Sequence, residues 1–214
     1  MNDFVYGVKY KINIFRRYFY WNKAGVVFLH VPKAAGTSVN YSIYGKTLGH
    51  YSALEVRRVF PGLYSRCFSF SLVRNPWDRA LSAYRFARIG KTESMGVYKP
   101  EQYKVPEFDS FERFVCDWLP QQDLLKCDFI FRPQNYFVCD TEKRLIVDHL
   151  GCVERLDETL AYLEHHIGYA LDVKVVNASG QKGNSYRDAY VSNEMVDVIS
   201  NIYKDDVSIF GYEF

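Results

Sequence analysis

No apolar run in this chain approaches the ~20 residues that a membrane-spanning helix needs, and no signal-peptide pattern is visible at its start. No CxxC pair occurs among the five cysteines, Cys67, Cys116, Cys127, Cys139 and Cys152. Scattered, odd in number and mostly in apolar surroundings, they read as reduced, buried thiols rather than a disulfide framework or a zinc site. An excess of one charge is also missing. The 27 Lys and Arg against 25 Asp and Glu leave a formal net charge of +2, so bulk charge gives no argument for nucleic acid, although one concave site can still be basic. The pattern GxxxxGK[ST] is absent, and no strand-like run ends in a metal-binding Asp, which disfavours magnesium-dependent nucleotide hydrolysis. Internal repeats and domain boundaries are absent too. The 214 residues are enough for a real core, so a single domain over 1–214 is expected, with 1–24 as an N-terminal extension.

The chain has an unusual share of aromatics, 17%, and they crowd its beginning. Tyr6, Tyr10, Tyr18, Phe19, Tyr20 and Trp21 alternate there with Lys9, Lys11, Arg16 and Arg17. The plain reading is a segment that lays its aromatics on the domain; the sharper alternative is a peripheral contact with a membrane surface.

The chain is organised around Val26-Val27-Phe28-Leu29-His30-Val31-Pro32-Lys33-Ala34-Ala35-Gly36-Thr37-Ser38. The first half is apolar and β-branched, bounded by Gly25 and Pro32, and predicts a buried strand. The second half is a small-residue loop with one lysine. Thr37 or Ser38 then opens an amphipathic run to Tyr44, stopped by Gly45. A strand, a loop whose backbone an anion can approach, and a helix N-terminus together grip phosphate. Ser52 is placed to cap a short helix from Ala53 to Phe60, which Pro61-Gly62 should end. His50 therefore falls at a loop-to-helix junction, where a histidine is either an ordinary surface residue or a functional one.

A second buried strand is predicted over 67–73, running into Arg74-Asn75-Pro76-Trp77-Asp78. Asn75 suits an N-cap, Pro76 the first helical position and Asp78 the first turn. Trp77, Ala80, Leu81 and Tyr84 recur at helical spacing, with Asp78, Ser82 and Arg85 on a neighbouring polar stripe. Arg74 and Ser82 can face one crevice at the carboxyl edge of a parallel sheet; alternatively Arg74 pairs with a carboxylate and Ser82 is merely small. The irregular stretch 90–108 reads as a functional loop or lid. Asp109 or Ser110 opens a helix that Pro120 should end, and Phe131-Arg132-Pro133-Gln134 reads as a turn. A third strand is expected over 144–150, then a helix capped by Asp157 and stopped by Gly168. The Gly-rich 177–187 is an ordinary connection or a flap carrying Lys182 and Arg187, and the aromatic C-terminal tail should dock on the body.

Two strand–loop–helix units, each with a cation and hydroxyls at its mouth, imply a ligand with two anionic ends. Lys33, Gly36, Thr37 and Ser38 serve one end, Arg74 and Ser82 the other. These residues carry a resemblance. Pro32 to Ser38 resembles the 5′-phosphosulfate loop of sulfotransferases, and Val73-Arg74-Asn75-Pro76-Trp77-Asp78-Arg79-Ala80-Leu81-Ser82-Ala83-Tyr84 resembles their 3′-phosphate motif. The carbohydrate-modifying branch, that of heparan 2-O- and chondroitin sulfotransferases and bacterial relatives, is similar also at Gly49-His50-Tyr51-Ser52, Phe131-Arg132-Pro133-Gln134, Gly151-Cys152-Val153-Glu154-Arg155-Leu156 and Phe210-Gly211-Tyr212.

The resemblance implies an α/β, P-loop-like three-layer fold with a central parallel sheet flanked by helices. It also implies sulfuryl transfer from 3′-phosphoadenosine 5′-phosphosulfate to a carbohydrate hydroxyl, leaving the 3′,5′-bisphosphate, without metal or nucleic acid. By the same resemblance His50 is the general base, and Lys33 stabilises the leaving oxygen. The loop through Ala35 and Gly36 to Thr37 and Ser38 holds the 5′ phosphate, while Arg74 and Ser82 hold the 3′ phosphate. The segment of Lys182, Tyr186 and Arg187 closes over the nucleotide, and Arg132 or Gln134 faces the acceptor. A bacterial cytoplasmic enzyme is expected, or a Golgi lumenal one if the chain is a trimmed eukaryotic piece. The rival readings are a nucleotide kinase-like P-loop phosphotransferase and a non-catalytic nucleotide-binding module.

Overall fold

The computed structural model describes residues 3–91, 95–173 and 185–214, with side chains from Ile12 onward. In chain order the main elements are α1 (Asp3–Ala24), β1 (Val26–Leu29), α2 (Gly36–Tyr44), α3 (Ala53–Val59), α4 (Pro61–Arg66), β2 (Phe68–Val73), α5 (Pro76–Ile89), α6 (Phe111–Arg113), α7 (Asn135–Val138), β3 (His149–Cys152), α8 (Leu156–Ile167), α9 (Asn193–Ile202) and α10 (Lys204–Phe210). They gather into two compact units, Met1–Val73 with Tyr136–Val175, and Arg74–Asn135 with Val176–Phe214.

The first unit holds a parallel sheet of order β1-β2-β3. Alternation along β1 sorts its side chains between two apolar layers. Val27 and Leu29 pack with Ile14 and Trp21 of α1, Ala53 and Val56 of α3, and Leu63 of α4. Val26 and Phe28 pack with Phe70 and Leu72 of β2, Val39 of α2, and Leu156 and Leu163 of α8. Helices thus cover both faces, which is why the strands read as continuous apolar runs. The Tyr44 hydroxyl covers the edge at β1, donating to the Val26 carbonyl (3.0 Å) and accepting from the Phe28 N–H (2.9 Å). This is the expected α/β arrangement.

Caps set several boundaries. Ser52 and Glu55 form a reciprocal capping box at α3, satisfying two donors that a helix start leaves open. The helix from Ala53 ends before Pro61-Gly62 as expected, at Val59 with Phe60 as its cap, but Pro61 also takes the first position of a further helix, α4, where its missing N–H costs nothing. The third strand lies at 149–152 rather than 144–150. Leu145 instead pairs antiparallel with Cys139, and the Asp148 carboxylate accepts from the Ser69 N–H and hydroxyl, at 2.8 and 2.7 Å. Those polar pairings use up the predicted first half of the strand. At Gly151 a Cβ would come within 2.1 Å of Thr159 Cγ2, so β3 and α8 can approach this closely only through glycine.

The second unit packs α5 against α9 and an aromatic shell. Asn75 caps α5, its Oδ1 accepting from the Trp77 and Asp78 N–H groups. Tyr103, Phe108, Phe111, Phe114 and Phe131 are buried together. Two of these, Tyr103 and Phe108, come with buried Val97 from residues 95–108, which are anchored in the core by these side chains. From α6 the helix continues as a π turn, Phe114–Trp118, and a 3-10 turn, Leu119–Gln121; Pro120 sits inside that turn rather than ending the helix. The tail docks as expected, with Phe214 against Trp77 and Tyr190 and the Glu213 carbonyl accepting from Asn75.

Candidate active site

In the first unit, β1 delivers the chain into the loop 32–35. Lys33 and Ala35 there both adopt left-handed backbone, at φ 66° and 55°, a conformation costing a residue with a Cβ about 1–2 kcal/mol. Strain of this kind persists only where the surroundings enforce it, and it clusters at ligand clamps. Ala35 is the cap of α2 and supplies no side-chain bond, and no acidic residue stands in the first turn. The first turn of α2, Gly36, Thr37 and Ser38, thus sets the positive end of the helix dipole beside Lys33 with no acid of its own turn, as an anion cradle requires.

The loop is shaped around His30. A Cβ on Gly36 would lie 2.3 Å from His30 Cδ2 and 2.7 Å from Nε2, so glycine is what lets the imidazole pack under the turn. The ring is 5% exposed. Burial, with His50 and Lys33 close by, holds its pKa well below the ordinary value of 6.5 and keeps it neutral. The unfolded chain therefore binds the extra proton first, and His30 stabilises the fold above pH ~6.5 and loses that contribution as pH falls from there toward its folded value. Comparing urea midpoints at about pH 7.5 and about pH 5.5 should show a smaller drop for His30→Gln than for the native chain.

His30 also orients His50. His50 Nδ1 lies 2.8 Å from the His30 carbonyl oxygen, with the rings 4.3 Å apart. A carbonyl only accepts, so Nδ1 carries the proton and Nε2 carries the lone pair of the neutral ring. The first unit thus brings Lys33, Ala35, Gly36, Thr37, Ser38 and His50 into one neighbourhood.

In the second unit Arg74 is held twice. Its Nε donates to Asp78 Oδ2 at 2.7 Å, and its main chain is clamped by Gln134, whose Nε2 donates to the Arg74 carbonyl (2.7 Å) while Oε1 accepts from the Arg74 N–H (2.9 Å). The carboxylate alternative for Arg74 is therefore present, but the partner lies four residues on, along the α5 stripe that continues to Ser82, which is 5% exposed. Gln134 is fully buried. This corrects its expected role: with no exposed surface it cannot face an acceptor, and it stands behind Arg74 instead.

Two buried charges fix the turn that carries Gln134. Arg79 donates to the Ile130 and Arg132 carbonyls, while Asp206 accepts from the Gln134 and Asn135 N–H groups at 2.7 and 2.8 Å. Burial pushes the Asp206 pKa up to about 6, opposed by Arg79 and by these two N–H bonds. Gln134→Leu should leave the Arg74 N–H and carbonyl without their amide partner, costing ~1–3 kcal/mol per group. Chemical denaturation should register that loss, and binding of 3′,5′-bisphosphate adenosine should weaken with it.

The remaining expected residues of the second unit are held by aromatic rings. Arg132 is over the Phe129 ring at 4.2 Å. Tyr186 packs against Phe214, and exposed Arg187 lies over both rings; Lys182 falls outside the described residues. A cavity of about 610 Å³ opens at the amino ends of β1 and β2, between Ala24, Arg66, Asp148 and His166, and none of the expected site residues lines it. Sequence reasoning passed over His30, Arg79 and Asp206. His30 carried a usable signal, a titratable residue inside a buried strand run, whereas Arg79 and Asp206 break helical amphipathicity without any local pattern to mark them.

A parallel sheet with helices on both faces, and a left-handed, lysine-bearing loop running into a helix N-terminus, is an α/β arrangement suited to binding an anion. Residues 16–213 match the sulfotransferase family, and the chain belongs to it. No curated protein and no solved structure matches the chain significantly.

Proposed function

We propose that this sulfotransferase moves a sulfuryl group from 3′-phosphoadenosine 5′-phosphosulfate to a hydroxyl of a carbohydrate, with His50 as general base. The observation that carries the reading is the pinned His50 ring: with Nδ1 2.8 Å from the His30 carbonyl oxygen, the neutral form of the imidazole has its lone pair on Nε2, the atom that would accept a hydroxyl proton. When bound, the donor supplies a sulfuryl group already activated by its bond to phosphate. Lys33 sets a positive charge where the leaving phosphate oxygen gains charge. Thr37 and Ser38, at the start of α2, receive the 5′ phosphate, and Arg74 and Ser82 receive the 3′ phosphate. The strained loop, the glycine that no Cβ could replace and the doubly held arginine are features that fit a ligand phosphorylated at both ends.

The carbohydrate branch is supported by the order of the weaker motifs, Gly49 to Ser52, Phe131 to Gln134, Gly151 to Leu156 and Phe210 to Tyr212. Two measurements test the reading. Calorimetry should show binding of 3′,5′-bisphosphate adenosine in preference to Mg-ATP; tight binding of ATP alone would replace it with a phosphotransferase. Labelled donor offered to a panel of glycans and small alcohols should then transfer label to a saccharide, and transfer only to non-sugar hydroxyls would remove the carbohydrate assignment. Donor binding with neither transfer nor hydrolysis would leave a binding module.

A further inference from the structure

The outward face of α1 is apolar where a surface helix is normally polar. Ile12, Phe15 and Phe19 are 53, 62 and 65% exposed and fall on one side of the helix at spacings of three and four. The opposite side is well anchored: Ile14 and Trp21 are buried in the unit's core, and Arg17 donates to the Leu48 carbonyl at 2.7 Å. The exposed row is therefore not a helix waiting to rotate inward. It continues onto the neighbouring elements, with Phe15 and Tyr18 packed edge-on against Phe60 and exposed Val59 beside it in sequence. A contiguous exposed patch of this kind marks an interaction surface.

The charges around it have one sign. From Ile12 to Ala24 the chain has Arg16, Arg17 and Lys23 and no acid. Exposed Arg57 and Arg58 close α3. Arg66 reaches α1 directly, donating to the Tyr18 hydroxyl (3.1 Å) and Asn22 Oδ1 (2.6 Å). Glu55, the acid of α3, is committed to the capping box with Ser52. Among the described residues no helix is long and apolar enough to cross a membrane.

We propose that this face of α1 lies flat on an anionic lipid surface, with Ile12, Phe15 and Phe19 entering the headgroup boundary and Arg16, Lys23, Arg57, Arg58 and Arg66 meeting the lipid phosphates. Aromatic and aliphatic side chains on one helix face, flanked by cations, are what interfacial binding uses. A second copy of the chain is disfavoured, because a two-fold contact through this face would set cations against cations. A soluble polyanion is disfavoured as well, since it would engage the cations and leave the phenyl rings in water.

Cosedimentation of the full chain with vesicles rich in phosphatidylglycerol, against pure phosphatidylcholine, tests the proposal. Binding is expected to the anionic vesicles alone. Phe15→Ser with Phe19→Ser should weaken it about tenfold or more, and Arg16→Glu with Lys23→Glu by a similar factor. Both pairs should keep the native circular dichroism and the native turnover of a soluble acceptor, because neither touches the candidate active site. Absence of vesicle binding, binding that ignores the phenylalanines, or a dimer in the ultracentrifuge that the phenylalanine pair abolishes would each overturn the assignment.

Discussion

Replacing His50 by alanine should cut sulfuryl transfer ~10²–10⁴-fold, the usual contribution of a positioned acid–base group, while the affinity for 3′,5′-bisphosphate adenosine stays near native. The expected split follows from what the ring touches. Its Nδ1 hydrogen bond to the His30 carbonyl is worth ~0.5–1.5 kcal/mol, and its ring also packs against that of His30. What disappears is Nε2 as proton acceptor when the acceptor hydroxyl attacks. His50→Gln sharpens the test: a glutamine can still donate to the carbonyl, yet it accepts no proton near neutral pH. Stability should recover and turnover should not. Near-native turnover in either variant would remove His50 from the base role.

Arg74→Ala should act on the other side of that split. Loss of a guanidinium from a phosphate removes a charge-assisted bond worth ~1.5–3 kcal/mol, or ~10–150-fold in affinity for the bisphosphate nucleotide. Turnover at saturating donor should change much less. Arg74→Lys should recover only part of the loss. A lysine keeps the charge but lacks the fork that lets Nε hold Asp78 at 2.7 Å while the rest of the guanidinium meets an anion. Unchanged nucleotide affinity in Arg74→Ala would show that Arg74 serves only its pair with Asp78. Because Gln134 clamps the Arg74 main chain, Gln134→Leu should move affinity in the same direction but with a larger stability loss than Arg74→Ala, which gives up the pair with Asp78, and calorimetry alongside denaturation separates the two.

Local chemistry alone was enough for much of this protein. The apolar runs over 26–31 and 67–73 predict buried strands, Asn75-Pro76 predicts the start of α5, and Ser52 predicts the start of α3, because each signal is spent within a few residues of where it stands. The loop from Pro32 to Ser38 was legible for the same reason, as were the positions of Lys33, Arg74 and His50. Pro61 shows the limit of such reading: it ends α3 as its sequence predicts, but that it also begins α4 goes with the packing of Leu63 into the core.

Tertiary structure decided what those residues face. His30 lies under Gly36 only because the loop between them turns back, and the tautomer of His50, Gln134 behind Arg74, and Arg79 and Asp206 buried around the 130–135 turn all join positions far apart in the chain. Periodicity reports which side of an element is apolar. It carries no information on which distant carbonyl a ring nitrogen meets or which buried charge a turn is wrapped around. Those pairings exist because a buried polar group must find a partner, and the partner is supplied by whichever element the fold brings alongside.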